Sequence, residues 1–263
     1  MDIRASFPRL RALGLSEGHL AREFSRRFEL AREQRDEADE LGKPRRVRML
    51  AELDILAEPA RRVVRRLDIA PSANPQTVLI LPGFASRPRR MRYLAGQIER
   101  AGHSTKRWGQ GRNWGIDQDG FDQLQERLAD LYARTGTPVV LLGWSLGGLF
   151  ARELAKRQPD AVAKVITMGS PFSGSPRANN VWRIYQFITG HQVDQPPVEA
   201  DLAVKPPVET VAFWSPNDAV IAPRCAAGLP GERDRAVALR CTHIGYTYAP
   251  ETVHALLAEL ERG

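Results

Sequence analysis

Cysteine is scarce in this sequence. Cys225 and Cys241 are the only two among 263 residues, too few for a disulfide framework. No histidine or carboxylate joins them at a convincing ligand-like spacing, so no metal centre is expected. One Cys225–Cys241 bond is a reading; two free thiols, as in a reducing compartment, is the plainer one. Long apolar runs are missing too. No stretch reaches membrane-spanning length, and Met1-Asp2-Ile3-Arg4 leads into charged sequence without a signal-type core. A cytoplasmic protein is expected. Nucleic-acid motifs are also absent. The formal net charge is +7, but basic residues alternate with acidic ones along helical stretches, which describes a solvated surface and no nucleic-acid partner.

What is present begins with helix. The length, 263 residues, allows one α/β domain with something appended. Leu20, Phe24, Phe28, Ala31, Ala38 and Leu41 fall at steps of three, four or seven and would line one helical face. Gly42-Lys43-Pro44 ends that pattern. A second runs from Arg45 to Leu67, with Val47, Leu50, Leu53, Val63, Val64 and Leu67 as apolar positions and Pro59 as a break. Residues 1–70 are therefore expected to form an α-helical extension packed on the domain beyond it. The Lys43–Arg48 and Arg61–Arg66 clusters offer another reading, contact with a membrane surface or a partner. The apolar face could equally bury itself on a second copy.

Ala70 to Pro75 reads as a linker, and 71–263 as the main domain. Strand and helix signals then alternate: strands at Thr77–Leu81, His103–Trp108, Val139–Leu142, Lys164–Met168, Val208–Trp214 and Ala236–Arg240, with helices at Arg89–Ala101, Phe121–Arg134, from the serine turn to Arg157, and Pro250–Glu261. Such alternation predicts a mostly parallel sheet flanked by helices, with its ligand site beyond the carboxyl ends of the strands. Between 172 and 207 the pattern lapses except for a short amphipathic helix around Trp182, Tyr185, Phe187 and Ile188. That insertion is expected to overhang the site as a lid or acyl-binding cover, or else to pack aside as an excursion.

The chain is organised around Gly143-Trp144-Ser145-Leu146-Gly147-Gly148, where a strand turns sharply into a helix. Gly-x-Ser-x-Gly in that setting presents a serine on a strained turn, with glycines where a side chain would clash. The bland reading is a glycine turn with Ser145 as a helix cap. Against it stands the order Ser145, Asp218, His243, each just past a strand. His243 would take the serine proton, and Asp218 would fix the imidazole tautomer. Asp194 and Asp201 are fallback acids. His19, His103, His191 and His254 are less well placed.

Residues Thr77 to Glu261 resemble the α/β-hydrolase fold superfamily, in particular its bacterial esterase and lipase-like serine hydrolases. The resemblance rests on Leu81-Pro82-Gly83-Phe84, the serine turn, Asp218 after Trp214-Ser215, and His243-Ile244-Gly245. Gly111-Arg112-Asn113-Trp114-Gly115 and Gly169-Ser170-Pro171-Phe172 match as well. It implies a carboxylic-ester hydrolase working through an acyl-enzyme on Ser145, with the N–H groups of Phe84 and Leu146 as oxyanion hole. Trp144, Arg112 and Trp182 are candidate substrate-binding residues, Arg112 toward an anionic group or as a loop stabiliser. The substrate would be a small acyl ester or a lipid, with no metal, nucleotide or flavin. Acyltransferase or thioesterase chemistry on the same triad, or a non-catalytic binding protein on this fold, are the alternatives.

Overall fold

In the computed structural model, the described residues are 17–32, 44, 46–58, 60–61, 66–175, 177, 179–180, 182–192, 198 and 201–262. Among them a six-stranded sheet runs in the order β2-β1-β3-β4-β5-β6. The strands are β1 (Thr77–Leu81), β2 (Ser104–Arg107), β3 (Val139–Trp144), β4 (Val162–Met168), β5 (Glu209–Trp214) and β6 (Arg235–Ala238). Every pairing is parallel. Right-handed crossovers from one strand to a parallel neighbour need a helix or a long connection, which is why helices alternate with the strands.

Both faces of the sheet are covered. Side chains alternate across it, so Val78 and Ile80 of β1 join one core while Leu79 and Leu81 join the other. On the first face lie α2 (Arg92–Arg100), with Leu94 and Ile98, and α7 (Pro250–Glu261), with Val253, Leu256 and Leu260. On the second lie α3 (Gln118–Thr135), with Phe121, Leu124 and Leu128, and α4 (Leu146–Arg157), with Ala151 and Leu154. Helix α3 shows why its limits fall where they do. Asp117 accepts from the Gly120 N–H at 3.0 Å at its start, and Gly136 takes a left-handed conformation at its end. Two short helices complete the set, α5 (Trp182–Thr189) in the insertion and α6 (Pro223–Ala227), which the sequence pattern did not announce.

The extension departs from expectation. Helix α1 (Glu17–Arg32) forms, but its Phe28 is exposed, with the Arg32 guanidinium stacked on the ring at 4.4 Å. Ala38, Leu41, Lys43, Arg45 and residues 62–65 lie outside the described residues. Arg46–Leu56 is a 3₁₀ helix where an amphipathic α-helix was expected, and Leu50, Leu53 and Leu56 face solvent. A 3₁₀ helix has three residues per turn, so positions 50, 53 and 56 eclipse on one side while 49, 52 and 55 share another. Leu67, by contrast, is buried in the core as its periodicity implied.

Helix α1 packs against α5, with Phe24 and Phe187 edge to face at 5.5 Å. Polar contacts reinforce the pair. Arg26 donates to the Gly190 carbonyl at 3.0 Å, Arg27 to that of Ile188 at 2.5 Å, and Gln186 to that of Leu30 at 2.7 Å. Where the insertion returns, the buried Arg152 of α4 stacks on Phe172 at 4.1 Å and donates to the carbonyls of Leu202, Ala203 and Val204. Burial lowers this guanidinium to about 10.

Candidate active site

Strand β3 ends at Trp144, and the chain turns at once into α4. Ser145 takes φ 54° at that turn, and Ala85, in the loop after β1, takes φ 58°. Among the described residues these are the two non-glycine positions with positive φ, and both sit at the carboxyl edge of the central strands. Such strain is of order 1–3 kcal/mol per residue and persists only where surrounding bonds over-determine it. Those bonds are visible. The Ser145 N–H donates to the Met168 carbonyl at 2.8 Å, and a Cβ on Gly147 would overlap the Leu81 carbonyl, so the turn is packed flush against β1.

Ala85 is held the same way. Its N–H donates to the Asn113 carbonyl at 2.6 Å, and the Asn113 N–H returns to Ser86 at 2.9 Å. The fully buried Asn113 side chain donates to the Pro82 carbonyl at 2.7 Å and accepts from Gly115 N–H at 3.0 Å. The Gly111–Gly115 motif thus builds the loop that carries Phe84. Asn113 is a loop anchor that the sequence reading did not name, although its motif was singled out. The Phe84 ring meets Tyr185 of α5 at 5.2 Å, so the insertion covers this loop. The Leu146 N–H lies in the first turn of α4, where backbone donors have no intrahelical acceptor.

Asp218 and His243 are brought together, both buried. The His243 Nδ1–H donates to Asp218 Oδ2 at 2.8 Å, while Asp218 Oδ1 accepts from the N–H groups of Val220 and Ile221, each at 2.8 Å. The carboxylate is therefore fully engaged and aimed. Gly169, which follows Met168, lies directly beneath the pair. A Cβ on it would come within 2.9 Å of Asp218 Oδ2 and 3.1 Å of His243 Nδ1. Ser145 thus meets Met168, the last residue of β4, and the Asp218–His243 pair meets Gly169, the next residue. No hydrogen bond joins the Ser145 hydroxyl to His243 in this arrangement.

The main chain of His243 is anchored as well. Trp144 Nε1–H donates to its carbonyl at 3.0 Å. From the other side comes Glu52 of the 3₁₀ segment, buried, whose two carboxylate oxygens accept from the N–H groups of His243 and Ile244 at 2.8 Å each. Burial pulls the His243 imidazole down, but the charge and hydrogen bond of Asp218, joined by the charge of Glu52, outweigh it, so the group titrates above its ordinary value. A base must be neutral to accept a proton. The acid limb of activity is therefore expected above pH ~6.5.

Glu52 gives a prediction of its own. Glu52→Ala leaves two buried N–H groups without acceptors, at about 1–3 kcal/mol each, and is expected to lower kcat roughly 10–100-fold as the histidine loop loosens. Glu52→Gln keeps one acceptor and should retain more activity. Because it removes a negative charge, the His243 pKa falls and the acid limb of kcat/KM moves to lower pH. A pH–rate profile that stays put in Glu52→Gln, with kcat undiminished in Glu52→Ala, would show that this carboxylate does not act on the histidine.

The remaining candidates separate. Arg112 and Trp144 line a common cavity, whereas Trp182 is buried. Asp201 is exposed, and Asp194 lies outside the described residues. Both cysteines are free and buried, and burial pushes the Cys241 thiol up to about 12. Among the described residues no cluster of His, Cys, Asp and Glu could hold a metal ion, and no helix is long and apolar enough to cross a membrane.

Residues 76–257 match the family described as alpha/beta hydrolase fold. Over 101 residues the chain is 34% identical to a pimeloyl-(acyl-carrier protein) methyl ester esterase of Aliivibrio salmonicida, a match that spans 37% of this chain and 37% of that esterase. Among solved structures, one reported for LipS and LipT, metagenome-derived lipolytic enzymes, is similar at TM-score 0.55 and 17% identity, over 74% of this chain and 100% of its own. Lipase B of Aspergillus fumigatus gives a TM-score of 0.53 at 16% identity, over 75% of this chain and 55% of its own. At these identities the structural likeness is one of fold.

Proposed function

We propose that this chain, which belongs to the alpha/beta hydrolase fold family, hydrolyses carboxylic esters through an acyl-enzyme on Ser145. The observation that supports this most is the buried His243–Asp218 pair resting on Gly169, one residue beyond the carbonyl that holds the strained Ser145.

The chemistry follows from those positions. His243 Nε2, the ring nitrogen that Asp218 leaves unengaged, takes the Ser145 proton as the hydroxyl attacks the ester carbonyl. The N–H groups of Phe84 and Leu146 receive the negative oxygen of the tetrahedral intermediate. His243 then passes the proton to the departing alcohol, and water, activated by the same imidazole, releases the acid and restores the serine. The A. salmonicida relative is named as a methyl ester esterase, in keeping with this reaction.

One feature favours a second reading. Helix α5 lies over Phe84 and is itself clamped by α1, a cover suited to excluding water and admitting an alcohol as acyl acceptor. The test is a p-nitrophenyl ester series from acetate to palmitate, run with and without added alcohol, beside labelling by a fluorophosphonate. Ester cleavage with a chain-length optimum and label on Ser145 is expected. A product shifted mainly to the new ester would favour acyl transfer. A folded protein that neither cleaves any ester nor takes the label would overturn the reading.

A further inference from the structure

The loop between β1 and α2 is unusually rich in arginine. Arg87, Arg89 and Arg90 of this loop, with Arg92 at the start of α2, line a cavity of about 520 Å³, and Arg112 faces it from the neighbouring loop. The size is that of an ordinary small-ligand pocket. Its other walls include Phe84, Trp144 and Ile244. Phe84 is the proposed oxyanion donor, and the other two are chain neighbours of Ser145 and His243, so the cavity borders the reacting centre.

Several cations elsewhere are paired with carboxylates. Arg27 bonds Glu23, Arg61 bonds Asp54, Arg157 bonds Glu153 and Arg235 bonds Glu259. The five arginines of the cavity differ. No carboxylate lines it, and none of the five has an ion pair among the described residues. Guanidinium groups stay charged at any working pH, and all five residues are exposed, so together they give the cavity a positive field open to an incoming anion. The arrangement is also built. Arg112 lies over the Trp114 ring at 4.9 Å, and that ring meets Phe84 edge to face at 6.2 Å. Backbone bonds between Ala85, Ser86 and Asn113 fix the two arginine-bearing loops against each other. Positive charge is thus gathered beside the proposed nucleophile, with Arg112 held by the Trp114 ring.

We propose that the cavity selects esters of low molecular mass whose acyl or alcohol part carries a carboxylate or phosphate, the arginines holding that group while Ser145 attacks the ester carbonyl. The inference rests on the ester-hydrolase reading and deepens it. Planar guanidinium forks suit either oxyanion through paired hydrogen bonds.

The test compares p-nitrophenyl butyrate, mono-p-nitrophenyl glutarate and a short-chain phosphatidic acid, in the wild type, Arg89→Ala/Arg90→Ala and Arg112→Ala. The expected result is a kcat/KM for at least one anionic ester tenfold or more above the neutral one. The same ratio should fall toward one in the variants and with rising salt. The glutarate arm would identify a carboxylate as the recognised group, and the phosphatidic acid arm a lipid phosphate. A second measurement needs no variant: pyrophosphate should inhibit cleavage of the neutral ester competitively. A wild type that cleaves the neutral ester at least as well as both anionic ones, without inhibition by pyrophosphate, overturns the inference and leaves ester hydrolysis standing. A wild type that cleaves none of the three and is not labelled at Ser145 overturns both.

Discussion

Ser145→Ala and His243→Ala are each expected to lower kcat on p-nitrophenyl butyrate by about 10³-fold or more, and the double variant to fall little further. The non-additivity is the informative part. A serine hydroxyl is a poor nucleophile until its proton has somewhere to go, and an imidazole without the serine has nothing to activate, so either loss removes the same step. Asp218→Asn should follow the same course with a smaller loss. Its Oδ2 sits 2.8 Å from His243 Nδ1 and its Oδ1 is already committed to two amides, so an amide in its place cannot accept the Nδ1 proton without turning over and losing those bonds. Steady-state kinetics on variants shown by circular dichroism to be folded would decide it. Full activity in Ser145→Ala would remove the acyl-enzyme altogether.

Gly169→Ala should be nearly as damaging, although this residue carries no side chain and touches no substrate. Its φ of 56° is left-handed, which costs an ordinary residue about 1–2 kcal/mol. The added methyl would also lie 2.6 Å from Tyr246 Cε2 and 2.9 Å from Asp218 Oδ2. Relief of that overlap costs a further 1–3 kcal/mol or so; the carboxylate that must yield orients the His243 imidazole, and the Tyr246 ring packs edge to face on it at 6.1 Å. We expect the melting temperature to drop and kcat to fall about 10²-fold, since a misplacement near 1 Å is enough for that. Unchanged kcat in a folded Gly169→Ala protein would mean that the acid–base pair tolerates displacement at this point.

The fold was readable because a parallel sheet, covered on both faces, is written as short apolar runs with helical patterns between them. The proposed site residues were readable for a related reason: ligands gather beyond the carboxyl ends of such strands, and Ser145, Asp218 and His243 each follow one. What could not be read was what depends on contact between distant segments. Nothing near Glu52 marks it as the partner of amides 191 and 192 positions later. The leucines at 50 and 53 even pointed away from the answer, because their spacing suits an α-helical face as well as the exposed ridge of a 3₁₀ helix. Trp182, offered by the sequence as a surface for substrate, is buried in this structure.

The bond from Glu52 to the histidine loop also sets an order of events during synthesis. The extension is made long before residue 243, so its carboxylate must wait while the sheet forms, and the contact it finally makes is among the most non-local in the chain. Contacts of that separation close late, after the entropy of the intervening loop has been overcome. On the proposed mechanism, a growing chain that has folded its serine turn would still lack a seated His243. Reactivity would then arrive with that closing contact, and a partly assembled molecule would carry Ser145 without its proposed base.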